Sequence, residues 1–125
     1  MATKKISKST AGSAKDTVLT FIYALNKEDF DTARDCLNDD MIFDGVLGHR
    51  EGADTYINDM KKMKFKYKLK KSFEDKNDVC LLYDIDMGGK NTIFTCGWYQ
   101  IKYKKIKSIK VVFDPRPLVE KPGKK

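Results

Sequence analysis

The sequence predicts a single α+β domain in which helices come first and cover one face of a mostly antiparallel sheet. Apolar residues recur every three or four positions through most of the first 64 residues and at every second position from residue 65 onward. The chain has 125 residues, which suits one hydrophobic core and therefore one main cavity. Helices followed by a run of strands are typical of a layered α+β fold.

Three helices are predicted before the long strands. Ser13 and Asp16 have the spacing of a capping box, and helical periodicity follows them, which predicts a helix from about Ala14 to Asn26. A second, shorter helix is expected from residue 30 to the polar residues 38–40, followed by a strand over 41–43. After a glycine-containing loop, the pattern over residues 53–64 predicts a third helix, with lysines at its end as the helix dipole favours.

Four long strands are predicted in the second half, over residues 65–69, 79–87, 93–103 and 109–113. The segments between them are short and polar, so neighbouring strands are expected to be antiparallel and to form a meander. The prolines after Asp114 end the last strand, because proline has no backbone donor for the sheet.

Both faces of this sheet are predicted to carry apolar side chains. Cys80 and Leu82 alternate with the apolar residues of the other face, and Phe94, Cys96 and Trp98 do so in the next strand. A sheet that is apolar on both faces needs a second cover, and the chain has no spare helix for that purpose. We therefore expect a homodimer that forms through the sheet.

The formal net charge of +7 is spread over the ends of the chain as well as its centre. Residues 1–12 are expected to form a tail, 13–118 the folded domain and 119–125 a basic tail. Lysines also alternate with apolar residues over 64–71, which is typical of a strand with a wet face. The aromatic residues of that segment lie on the opposite face from the lysines, so nucleic acid is not an expected partner.

The cysteines and the N-terminus indicate a reduced, cytoplasmic environment. Cys36, Cys80 and Cys96 have no Cys-x-x-Cys spacing and are expected to be free, buried thiols. No long apolar run follows the basic N-terminal residues, so neither a secretory signal nor a membrane span is expected. With one histidine in the chain, no metal site or other cofactor is expected.

The order of several short segments resembles the nuclear-transport-factor-2-like (NTF2-like), or SnoaL-like, superfamily over residues 14–118. These segments are 25–30, 37–43, the glycines Gly48 and Gly52, and 97–100 with its continuation to Asp114. The resemblance implies a cystatin-like cone, in which a curved sheet and three N-terminal helices enclose an apolar pocket. The superfamily contains isomerases, cyclases, epoxide hydrolases, dehydratases and noncatalytic binding proteins, so the fold leaves the function open.

By similarity, only a few catalytic residues of the superfamily are matched by residues of this sequence. The three catalytic positions of the ketosteroid isomerase branch fall by similarity on Phe21, Gly45 and Gly97, none of which has acid–base chemistry. The two catalytic aspartates of the limonene epoxide hydrolase branch fall on Asp86 and Asp114. That branch's arginine falls on Asp84, and its water-positioning tyrosine and asparagine fall on Phe43 and Gly45.

Asp86 and Asp114 are therefore the candidate catalytic residues. Two carboxylates in an apolar pocket favour one raised and one ordinary pKa, the arrangement that a metal-free acid–base hydrolase, isomerase or lyase uses. The alternative is that both aspartates cap strand ends or pair with lysines at the surface.

Five further residues are candidates for ligand binding. Asp44 is placed to orient His49 by a hydrogen bond, Tyr56 and Tyr99 offer aromatic area with a polar end, and Arg116 suits a ligand carboxylate. The alternatives are a solvated loop histidine, core aromatics and a surface ion pair. The sequence thus leaves three hypotheses: a cavity that binds a small apolar or amphipathic ligand, an acid–base enzyme, and a module that dimerises through its sheet.

Overall fold

The computed structural model describes residues 13–88 and 92–119. The predicted tail 1–12 and all of the predicted tail 119–125 except Val119 lie outside the described residues. The elements in chain order are α1 (Ala14–Asn26), α2 (Phe30–Asp35), β1 (Leu37–Asp44), β2 (His49–Glu51), α3 (Ala53–Met63), β3 (Lys66–Asp75), β4 (Asp78–Asp86), β5 (Thr92–Lys102), β6 (Lys105–Phe113) and α4 (Arg116–Val119). The predicted α+β class and the three N-terminal helices are confirmed.

Local chemistry sets the start of the first two helices. The Ser13 hydroxyl accepts from the Asp16 amide at 3.2 Å, and the Asp16 carboxylate accepts from the Ser13 amide at 3.3 Å, so the predicted capping box is present. Asp29 caps α2, because its carboxylate accepts a hydrogen bond from the Thr32 amide. Both caps satisfy amides that the helix itself leaves without partners.

The boundary between α2 and β1 was predicted too late in the chain. The helix ends at Asp35 and the strand begins at Leu37, where the sequence predicts helix continuing to residues 38–40. Leu37 and Met41 are fully buried, and the Ile106 amide of β6 donates to the Cys36 carbonyl at 2.8 Å. Pairing with a distant strand therefore decides this boundary, over the local polar signal of residues 38–40.

The sheet has six strands in the order β2-β1-β6-β5-β4-β3. The predicted antiparallel meander of four strands is β3 to β6, and β1 joins it in parallel beside β6. Two short elements were not predicted: β2, which pairs with the end of β1, and α4, which follows the last strand. Bulges in β3 and β6 locally disrupt the pairing, and such bulges bend a strand.

The core lies between the helices and one face of the sheet, here called the inner face. Its fully buried side chains include Phe21 and Ile22 of α1 and Val79, Leu81 and Ile109 of the sheet. The opposite, outer face carries large apolar side chains that remain exposed: Phe73, Phe94, Trp98 and Val112. None of the described helices has the length and apolar character needed to cross a membrane.

The cysteines were predicted to be buried, which holds for one of them. Cys36 is buried below α2, whereas Cys80 and Cys96 are half-buried on the outer face, with their Sγ atoms 3.6 Å apart. All three are free thiols. The alternation of β4 and β5 places Cys80 and Cys96 on the outer face, so they do not reach the core.

Candidate ligand-binding cavity

A cavity of about 490 Å³ lies on the inner face, between α3, the β1–β2 loop and the sheet. Most of its lining is apolar: Phe43, Val46, Leu47, Met60, Met63, Phe65, Ile85, Met87, Val111, Phe113 and Leu118. The alternation of β4 and β6 presents Ile85, Val111 and Phe113 to this side. The volume falls within the range of pockets that hold small organic molecules.

The mouth of the cavity is formed by apolar side chains that are exposed to water. Val46 and Leu47 come from the β1–β2 loop, Met63 from the end of α3 and Leu118 from α4. The loop is closed by a hydrogen bond from the Gly45 amide to the Gly48 carbonyl, at 2.8 Å. Three separate segments thus surround one opening.

Tyrosine side chains supply the polar groups in the interior. Tyr56 of α3, Tyr67 of β3 and Tyr83 of β4 line the cavity, and Tyr99 of β5 lies behind Tyr83. The Tyr56 ring packs on Phe43 with centroids 5.0 Å apart, and the Tyr67 ring meets Tyr83 edge-on at 5.2 Å. Burial raises the pKa of Tyr56, Tyr83 and Tyr99 far above the usual value, so these hydroxyls stay protonated.

The tyrosine hydroxyls differ in their hydrogen bonds. Tyr83 and Tyr99 are joined at 2.7 Å, and the Tyr67 hydroxyl donates to the Met60 sulfur at 3.7 Å. Tyr56 is only 4% exposed, yet its hydroxyl makes no hydrogen bond to any residue in the described ranges. A buried hydroxyl without a protein partner is uncommon and indicates a place for a ligand or water.

Gly97 makes the Tyr83–Tyr99 pair possible. A Cβ atom at this position would lie 2.5 Å from the Tyr83 hydroxyl oxygen and 2.8 Å from the Tyr99 ring. Any side chain here would therefore displace the two rings. Gly97 therefore makes room for the two tyrosines.

A cluster of charged residues lies at the rim of the cavity. His49 contacts Asp44 through Nδ1 at 2.5 Å and Glu51 through Nε2 at 3.0 Å. With a carboxylate at each ring nitrogen, both N–H groups donate and the pKa of His49 is raised, first by Asp44 and then by Glu51. Nearby, Arg50 donates to Asp59 of α3 at 2.8 Å.

The same arrangement of helices and sheet occurs in proteins of known structure. An NTF2-like protein of unknown function from Cytophaga hutchinsonii is 52% identical in sequence, with a TM-score of 0.86, over 90% of this chain and all of that one. This chain belongs to the NTF2-like family. No protein-family model matches the chain, and no curated protein gives a significant sequence match.

More distant structures share the fold alone. An LEH-like epoxide hydrolase from Mycobacterium tuberculosis is 24% identical, with a TM-score of 0.73, over 81% of this chain and 82% of its own. A cystatin-fold protein from Novosphingobium aromaticivorans is 17% identical, with the same TM-score of 0.73, over 81% of this chain and 98% of its own. At these identities the likeness carries no information about the reaction or the ligand.

The two candidate catalytic acids of this NTF2-like protein do not line the cavity. Asp86 is exposed at the end of β4 and accepts from the Gly88 amide at 2.9 Å. Asp114 lies beyond β6 and is paired with Arg116 at 2.6 Å, which lowers the pKa of Asp114 to about 2. Strand alternation explains this placement, because their neighbours Ile85 and Phe113 are the residues that face the cavity.

The candidate ligand-binding residues divide into two groups. His49 and Tyr56 line the cavity, and Asp44 makes the expected hydrogen bond to His49 at its rim. Tyr99 is fully buried behind Tyr83, and Arg116 is exposed and paired with Asp114, so neither lines the cavity.

The sequence-based candidates omitted two tyrosines that line the cavity. Tyr67 and Tyr83 belong to the inward-facing sets of β3 and β4. The signal available in the sequence was a hydroxyl in an otherwise apolar set of alternating residues. Such a residue needs a hydrogen-bond partner when it is buried.

Proposed function

We propose that this NTF2-like protein binds a small, largely apolar molecule in the inner-face cavity. The observation that carries the proposal is the cavity itself, with a volume of about 490 Å³, an apolar lining and a mouth of exposed apolar side chains. A ligand that fills a water-accessible cavity removes the surface of its apolar side chains from water, which lowers the free energy of the complex. The few polar groups inside are available to orient such a ligand.

The proposal concerns binding, because the acids considered for catalysis do not reach the cavity. Asp86 and Asp114 belong to the opposite set of alternating residues, and Asp114 is already paired with Arg116. The carboxylate that does line the cavity, Asp59, accepts a hydrogen bond from Arg50. Binding requires only the apolar surface and a polar group, both of which the cavity offers.

Two adjacent valines provide a matched test of this proposal. Val111 lines the cavity, whereas Val112 is exposed on the outer face. We expect Val111→Phe to fill the cavity and weaken Nile red binding about tenfold or more, and Val112→Phe to leave the dissociation constant unchanged. The measurement is a fluorescence titration of both variants, with circular dichroism to show that each is folded. Equal loss in both variants, or loss in Val112→Phe alone, would contradict the proposal.

A second proposal concerns the outer face, which we infer to be the interface of a homodimer. The supporting observation is four large apolar side chains on one sheet face, of which Phe94 is 58% and Val112 61% exposed. A second copy of the chain presents the same apolar surface, so a two-fold arrangement buries both at once. The mass of the protein in solution tests this proposal, as developed in the Discussion.

A further inference from the structure

Hydrogen-bond donors outnumber strong acceptors among the tyrosines around the cavity. The hydroxyls of Tyr56, Tyr67, Tyr83 and Tyr99 bring four protons to this region. One proton is used between Tyr83 and Tyr99, and one goes to the Met60 sulfur, which is a weak acceptor. The other two have no hydrogen-bond acceptor in the described part of the chain.

Tyr56 is one of the two available donors. Its ring is fixed between Phe43, at a centroid distance of 5.0 Å, and Phe21, at 6.3 Å, so the hydroxyl has a defined position. Asp59 lies one helical turn further along α3, but its carboxylate accepts from Arg50 at 2.8 Å and makes no hydrogen bond with Tyr56. The hydroxyl therefore belongs to a buried residue that lines the cavity, and it has no hydrogen-bond partner among the described residues.

Tyr83 is placed to be the second donor. Tyr99 does not line the cavity, whereas Tyr83 does. When Tyr99 donates to the Tyr83 oxygen at 2.7 Å, the Tyr83 proton is free to point into the cavity. Tyr56 on α3 and Tyr83 on β4 then each bring a phenolic donor to the lining of the same cavity.

We propose that the ligand carries a neutral carbonyl oxygen that accepts hydrogen bonds from Tyr56 and Tyr83, as in an apolar ketone. This inference rests on the proposed function and names the chemical class of molecule that the cavity takes. A carbonyl oxygen has two lone pairs and no proton, so it matches a surplus of donors. A ligand hydroxyl group would bring a further donor into a region where hydrogen-bond donors already outnumber acceptors.

The charges around the cavity favour a neutral ligand over a carboxylate. The rim holds three carboxylates, Asp44, Glu51 and Asp59, against two cationic groups, His49 and Arg50. Each cation already contacts at least one of those carboxylates. The burial that raises the pKa of Tyr56 would also penalise an ionised ligand placed beside it.

The test uses two ligands that differ at one position, 9-fluorenone with a carbonyl group and fluorene with a methylene group. Titration calorimetry gives the ratio of the two dissociation constants for each protein. The two compounds differ in their transfer from water, and this difference cancels when the ratio in a variant is compared with the ratio in the wild type. In Tyr56→Phe we expect the affinity for fluorenone, relative to that for fluorene, to be about fivefold lower than in the wild type, which is the usual effect of one hydrogen bond. Tyr103→Phe is the matched control, because Tyr103 is 83% exposed on the β5–β6 turn.

Two further measurements separate a ligand contact from a structural role. Tyr56→Phe removes a hydroxyl that has no hydrogen-bond partner in the described ranges, so the free energy of unfolding should not fall. The carbonyl stretching frequency of bound fluorenone should be lower than in hexane and should rise in Tyr56→Phe. Loss of stability without a change in the ratio would overturn the inference.

The outcomes also distinguish this inference from the proposed function. If both compounds bind in the cavity and the ratio is the same in wild type and Tyr56→Phe, the carbonyl inference fails while the binding proposal stands. If neither compound binds, and Val111→Phe has no effect on Nile red, the binding proposal itself fails. A ratio that shifts in Tyr103→Phe as much as in Tyr56→Phe would also overturn the carbonyl inference.

Discussion

His49 is a residue whose charge follows from its two neighbours. Asp44 and Glu51 contact its two ring nitrogens, at 2.5 Å and 3.0 Å, and both raise its pKa. A neutral imidazole has one N–H group and satisfies only one of these carboxylates. The structure therefore favours a cationic His49 at the rim, which does not suit the role of a general base.

The sole histidine allows a direct test of this raised pKa. The contacts of the cation stabilise the folded protein fully below the unfolded pKa of about 6.5, and this contribution is lost as pH rises through the higher folded pKa. An NMR titration of the imidazole signals should give a midpoint above about 6.5, and Asp44→Asn should lower it. A wild-type midpoint at or below the unfolded value would contradict the assignment.

At the scale of elements, Arg34 connects two helices and a strand. Its guanidinium lies on α2 and contacts Asp39 of β1 and Asp54 of α3, each at 2.7 Å. It also donates to the Leu37 carbonyl at 3.4 Å. Because α3 carries Tyr56, this contact helps to hold one wall of the cavity in place.

Replacing Arg34 should therefore destabilise the fold. We expect Arg34→Met to lower the free energy of unfolding by about 1 kcal/mol, since it removes charge-assisted bonds between separate elements. Arg116→Met is the matched control, because among the described residues the Arg116 guanidinium pairs only with Asp114, two residues away, and both are exposed. Urea denaturation of the two variants measures the difference. Equal effects would show that the contacts of Arg34 between elements contribute nothing beyond a local surface pair.

At the scale of the whole molecule, the outer face predicts how stability depends on concentration. If two chains pair through this face, the melting temperature should rise with protein concentration. Each chain carries a formal charge of +7, so dimerisation should also strengthen as salt is raised to about 0.15 M, which screens the repulsion.

The lone tryptophan and two substitutions complete this test. Trp98 is 41% exposed on the outer face, so its emission should shift to shorter wavelength as the dimer forms. We expect Phe94→Lys with Val112→Lys to give a monomer by sedimentation, with no dependence of melting temperature on concentration. A wild-type protein that stays monomeric at all concentrations would contradict the dimer proposal.

Much of the fold could be predicted because it depends on contacts between near neighbours in the chain. The capping box of Ser13 and Asp16 predicts the start of α1, and alternation with short turns predicts the meander β3–β6. The resemblance predicted the NTF2-like fold correctly. The resemblance, however, assigned roles to Asp86 and Asp114 from their positions in the chain and not from the side of the sheet that they occupy. Their alternation with Ile85 and Phe113 indicated the outer face.

The sequence by itself determined the α+β class, the three helices in the first half of the chain and the presence of apolar residues on both sheet faces. Only the tertiary structure decided where β1 begins, which tyrosines line the cavity and that the Tyr56 hydroxyl has no hydrogen-bond partner among the described residues. The physical reason is distance along the chain. Periodicity and caps act over a few residues, whereas the pairing of Cys36 with Ile106 and the placement of Tyr56 and Tyr83 around one cavity need the folded chain.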